Sequence, residues 1–145
     1  MKMLTLSDDE RRRWQDLQRI SLDDLYAALG SDVQGPAAVS VAQGLLIDVV
    51  FERTGKTIAA GRARVDLAVR ACRGPICERW AAVRKAHAAA KPLLEPVEVV
   101  AVIVEVLKLV YDGSFPYLLM AEAIARPCAY TLDRFCSGAE GAEIT

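Results

Sequence analysis

The sequence predicts an all-α protein: a single compact domain of about seven helices built around a central apolar helix. Three observations predict it. Side-chain caps stand ahead of helix-periodic segments, as in Ser7 with Glu10 and Ser21 with Asp24. Gly and Pro fall between those segments rather than at hairpin spacing. The one Val- and Ile-rich segment, which composition alone would make a strand, carries its polar residues at helical spacing.

Asp8 and Asp9 suit the first turn of a helix that Ser7 caps and that runs to about Ile20. Ser21 restarts a second helix, with Gly30 expected just past its end. Pro36 opens a third, to about Arg53, stopped by Gly55. Thr57 caps a fourth, to about Arg73. Gly74-Pro75 should close it and open a fifth, to about Ala90. Pro92 and Pro96 precede the central helix, Val97 to Tyr111. Lys91, Glu95, Glu98, Glu105, Lys108 and Asp112 mark one side of it, and a strand would split Glu98 from Glu105 across two faces. Glu105 and Lys108 are placed to pair at i,i+3. Phe115 to Arg126 forms a further helix and Pro127 starts a last one, to about Ser137. Residues 1–138 form the domain, and 139–145 read as a flexible tail.

Composition excludes several classes. With 145 residues, 53% apolar and 26% charged, the chain is of ordinary globular usage. Its single histidine excludes sites that need two. Leu93 to Tyr111 is the only membrane candidate, and its four charged side chains would each cost about 2.5–3.5 kcal/mol at a bilayer centre. The start lacks a signal's apolar core and turns acidic at Asp8, so a cytoplasmic setting with free thiols is expected. Abundant Ala, Val and Arg suit a GC-rich, bacterial genome.

The formal net charge of −1 conceals a division. Residues 1–52 carry −4, residues 53–91 carry +8, and residues 92–145 carry −5. Arg62, Arg70, Arg73, Arg79, Arg84 and Lys85 could form a basic face for an acidic partner or an anion. The alternative is that these helices pack against acidic neighbours of the same chain, or are simply solvated. Asp66 is spaced for i,i+4 pairing with Arg62 or Arg70. Aromatics do not interleave with the bases as single-strand binders require, so nucleic acid is a less favoured partner.

No catalytic constellation emerges. Gly55-Lys56-Thr57 looks like the end of a phosphate-binding loop, but Val50 stands where the first glycine of that loop is needed. Cys72 with Cys77 and Cys128 with Cys136, the latter two expected on one short helix, are spaced too widely for zinc knuckles and read as small buried hydrophobes. Asp48 with Glu52, and Glu98 with Glu105, mark exposed stripes rather than an acid–base pair. His87 falls on the Trp80 and Val83 face, where a lone histidine is usually a packed residue. Helical RNases of the HEPN class separate Arg from His by four to six residues. Arg79 and Arg84 precede His87 by seven and two intervening residues, so neither fits.

One broader likeness is present. His87 late in a helix, Pro96 opening a long apolar helix, the turn at Gly113-Ser114-Phe115-Pro116 and the closing helices together resemble the proximal half of globins, over about residues 55–135. The resemblance implies haem held axially by His87. The chain departs from that family where Thr54 occupies the distal histidine's place, and where Pro127 interrupts the final helix. Phe51 would be the aromatic against the haem. Taken from its residues alone, the chain is expected to be a non-enzymatic helical interaction module without a cofactor or bound metal. It would present helix faces to a protein partner or to itself as a homo-oligomer. A ligand-binding protein using His87 and a nucleic-acid binder using residues 53–91 are the alternatives.

Overall fold

The computed structural model describes residues 6–31, 54–87, 95–111 and 115–136. Their regular structure is entirely helical: α1 (Asp8–Leu17), α2 (Leu22–Gly30), α3 (Gly55–His87), α4 (Pro96–Val110), α5 (Tyr117–Ala125) and α6 (Leu132–Cys136). The helix expected over 36–53, Phe51 within it, and the tail over 139–145 lie outside the described residues.

The N-termini follow from local hydrogen bonding. Ser7 Oγ accepts from the Glu10 amide at 3.1 Å while Glu10 accepts from the Ser7 amide at 3.0 Å, which satisfies two orphan donors at once. Ser21 Oγ does the same for the Asp24 amide at 3.1 Å. At α3 the cap is Thr54, not Thr57. The Thr57 amide donates to Thr54 Oγ1 at 3.1 Å and the Thr54 amide to Thr57 Oγ1 at 2.9 Å, so Gly55 begins this helix instead of ending the one before. Glu98 accepts from the Glu95 amide at 2.9 Å ahead of Pro96, which sits in the first turn of α4, where a missing N–H costs nothing.

α4 and α5 form the interior. Val99 to Val104, Val106 and Leu107 are buried on α4, and Leu118 to Ala125 on α5. α1 and α2 cover one side and α3 another, in one core that also holds Leu17, Leu25, Cys72, Ile76 and Leu132. α2 and α3 touch backbone to backbone. A Cβ on Gly61 would fall 1.8 Å from the Tyr26 carbonyl oxygen, and one on Gly30 would fall 2.0 Å from that of Thr57. Gly30 is therefore the last residue of α2, kept small by the crossing, and not a residue beyond the helix as its sequence position suggests.

The largest departure from expectation is α3. The Gly74-Pro75 pair does not separate two helices; one 33-residue helix runs through it. Proline removes the N–H that Ala71's carbonyl would accept and crowds the residue before it. Glycine at 74 has no Cβ to clash, and Ala71, Gly74 and Pro75 all face solvent, where water meets the freed carbonyl. Burial of Val65, Ala68, Cys72, Ile76, Trp80 and Val83 on the other side holds the helix together.

The chain end differs too. After α5 the backbone turns through Ala129 (φ 54°) and Tyr130 (φ 58°), both left-handed, and the Tyr130 amide donates to the Ala125 carbonyl at 2.9 Å. Cys128 lies in this turn and Cys136 in α6, so the two do not share a helix. Cys136 instead forms a disulfide with Cys77 of α3, Cα to Cα 5.6 Å, which corrects the expectation of four free thiols. Tertiary proximity of α3 and α6, invisible in the spacing, brings them together. Oxidising compartments preserve such a bond and cytoplasmic thiols reduce it.

Candidate functional site

The basic residues of the 53–91 segment lie along α3 and divide by direction. Arg62 and Arg73 lie on the flank toward α2 and α6. The Arg62 guanidinium stands over the Tyr26 ring at 5.7 Å, and that of Arg73 over Phe135 at 4.3 Å while donating to the Phe135 carbonyl. Farther along, Arg84 pairs with Asp133 of α6 at 2.8 Å, an oxygen that also accepts from Trp80 Nε1 at 2.9 Å. On the opposite flank Arg79 pairs with Glu105 of α4 at 2.9 Å, and Arg64 donates to the Leu29 carbonyl at the end of α2, 2.8 Å away. Arg70 and Lys85 are exposed and have no partner among the described residues. Asp66 pairs with neither Arg62 nor Arg70, and Glu105 does not pair with Lys108. Arg79 takes Glu105, and Lys108 reaches Glu10 of α1 at 3.0 Å. His87 closes α3, but its side chain is outside the described residues.

Between these flanks α3 keeps a bare outer face. Ala60, Ala63, Leu67, Ala71, Gly74 and Ala81 recur along it at spacings of three, four and seven, all exposed, with Arg70, Glu78 and Lys85 among them. Leu67 is 62% exposed.

Two concave regions adjoin α3. A cleft of about 360 Å³ lies between α2, α3 and the α5–α6 turn, with an apolar floor of Val65, Val69, Ile124 and Phe135 and a rim of Tyr26, Asp66, Arg73 and Arg134. Cys128 opens on it. Burial pushes that thiol up from its ordinary pKa, and it donates to the Ala125 carbonyl at 3.2 Å. Burial raises the Cys72 thiol in the same way. A second groove, about 480 Å³, runs between α3 and α4 along Pro75, Ala82, Val106 and Leu109, beside the Arg79–Glu105 pair. Leu109 is 81% exposed at its edge.

One constellation escaped the sequence reading. Glu122 is fully buried in α5 and accepts from Trp14 Nε1 (2.7 Å), Arg126 Nε (2.8 Å) and the Tyr130 hydroxyl (2.6 Å). Arg126 also donates to the Ile20 and Leu17 carbonyls at 2.6 and 3.0 Å, which closes the end of α1. Burial first, then the hydrogen bond to Glu122, pushes Tyr130 up to about 12. The visible signal was Glu122 four residues before Arg126 in an otherwise apolar helix. Three donors converge on this one carboxylate and Arg126 closes on two carbonyls besides, so the group pins α1 to α5.

Among the described residues no three His, Cys, Asp or Glu side chains gather as metal ligands, and no helix is long and apolar enough to cross a membrane. No protein-family model, curated protein or solved structure matches the chain.

Proposed function

We propose that this protein is a non-enzymatic helical interaction module, and that the outer face of α3 is the surface it offers. The observation that carries the reading is that face itself. It runs from Ala60 to Ala81 on a 33-residue helix, about 32 Å, and presents a 62%-exposed Leu67 among alanines and Gly74. An apolar row of that length on a surface helix suits a second protein surface better than water. The charges beside it support the same reading. Arg62, Arg64, Arg73, Arg79 and Arg84 are held by Tyr26, Leu29, Phe135, Glu105 and Asp133, which leaves Arg70, Glu78 and Lys85 on the open face for a partner. Burial raises the Cys72 and Cys128 thiols and Glu122 is taken up in joining α1 to α5, which supports a binding role over a chemical one.

A photo-crosslinking side chain placed at Leu67, in the cell that makes the protein, tests this. The expected result is a protein adduct of defined mass at Leu67 and none at the exposed Gln15 of α1. No adduct at Leu67, or equal labelling at both positions, overturns the reading.

A further inference from the structure

We infer that the occupant of this face is α3 of a second copy of the chain, antiparallel to the first, across a twofold axis at Gly74; the inference rests on the interaction reading above. In such a pair, residues equally far from the axis on either side meet, and each contact occurs twice. The face is self-complementary in that register. Arg70 and Glu78 stand four residues either side of Gly74, both exposed and neither with a partner among the described residues. Each would meet the other's mate: Arg70 with the partner's Glu78, and Glu78 with the partner's Arg70. Leu67 and Ala81 are seven residues either side, so the large exposed apolar side chain of α3 falls on a small one. Ala63 and Lys85, eleven residues either side, place the lysine stem over an alanine.

Gly74 suits the axis. A Cβ built there meets nothing within 4 Å beyond its chain neighbours and its own helix backbone, and its absence lets two backbones approach. The parallel arrangement fails on charge, because it sets Arg70 against Arg70, Glu78 against Glu78 and Lys85 against Lys85.

Two full-length variant sets test the register, both at exposed positions. Leu67→Cys combined with Ala81→Cys sets thiols on both sides of a contact across the pair and should cross-link two chains under mild oxidation. Leu67→Cys alone lies about 10 Å from the axis along the helix, too far from its mate for a disulfide, and should not. By sedimentation, Arg70→Glu should weaken the dimer roughly tenfold, since two attractive contacts become repulsive, and adding Glu78→Arg should restore it. Helicity by circular dichroism should be unchanged in all of them.

A single-chain mass at every concentration, cross-linking through Leu67→Cys alone, or no rescue by the double reversal overturns the pairing. A Leu67 photo-adduct with a different protein also overturns it but leaves the interaction reading standing. Absence of any adduct removes both.

Discussion

Two tryptophans in this molecule do the same thing in different surroundings. Trp14 donates to Glu122, which also holds Arg126; Trp80 donates to Asp133, which also holds Arg84. Each triad joins two helices, α1 to α5 and α3 to α6. The distances are alike, between 2.7 and 2.9 Å, but Glu122 is fully buried whereas the Asp133 side chain is 51% exposed. The contrast teaches that geometry does not set the worth of a polar clasp. In the interior each missing partner leaves a desolvated group behind, while at the surface water takes the vacancy.

Removing the carboxylate at each end is the direct way to break this comparison. Glu122→Ala takes the counter-charge from the half-buried Arg126 guanidinium and the acceptor from the Trp14 N–H. It should cost about 3–5 kcal/mol, read as a lowered urea midpoint with unchanged slope. Glu122→Gln keeps the shape and should cost less. A loss below about 1 kcal/mol for Glu122→Ala would show that water reaches the inner triad, and the distinction would collapse.

The second largest effect belongs to the disulfide, which fastens α6 beside the outer triad. Cys77 and Cys136 are 59 residues apart, and closing a loop of that length removes about 4 kcal/mol of unfolded-chain entropy in the ideal case. Cys136→Ser should therefore destabilise by about 2–4 kcal/mol. The outer triad does not need to be strong, because a covalent bond, the Arg73 contacts and the buried Leu132 and Phe135 already hold α6.

What was legible in the sequence divides along the same line. Local features were: the Ser7–Glu10 box, the Ser21 cap and the charged stripe that made Val97 to Tyr111 a helix depend on residues a turn or two apart. Features that depend on which helices meet were not. Gly30 read as punctuation, and Gly61 drew no reading, until α2 lies on α3. Cys77 and Cys136 gave no hint of each other, and Pro75 read as a break because its solvent-facing position on a packed helix is a tertiary fact. Of the basic residues singled out, Arg73, Arg79 and Arg84 turned to partners 62, 26 and 49 residues away. The outer face of α3 was obscured by the break expected at its middle.

Alkaline titration sharpens the inner side of the comparison. Tyr130 donates to the Glu122 carboxylate, and its pKa is pushed from 10.0 to about 12 by burial and then by that bond. A folded value above the unfolded one means the neutral phenol is the form the fold prefers. Its contribution is complete below pH 10 and is lost as pH rises through about 12. The thermal midpoint should fall across that window, and Tyr130→Phe should remove this share of the fall. A variant with the same alkaline profile as the parent would place the sensitive group elsewhere.

The smallest effect is expected at the outer triad, and its dependence on the disulfide says most about how α6 is held. Asp133→Asn leaves a side chain that still accepts from Trp80 and exposes nothing to an apolar surround, so it should cost well under about 1 kcal/mol. With Cys77–Cys136 intact, α6 cannot leave α3, and amide exchange in residues 132–136 should barely change on substitution. Reduction turns docking of α6 into an equilibrium that Asp133, Arg73 and the Phe135 ring must hold, and the same substitution should then speed exchange there severalfold. Glu122→Ala should cost the same in oxidised and reduced protein within about 0.5 kcal/mol, because the two triads share no partner. If reduction changed the Glu122 loss as much as it changes the Asp133 exchange, the inner and outer clasps would be parts of one network running through the α5–α6 turn, and burial alone would not explain their difference.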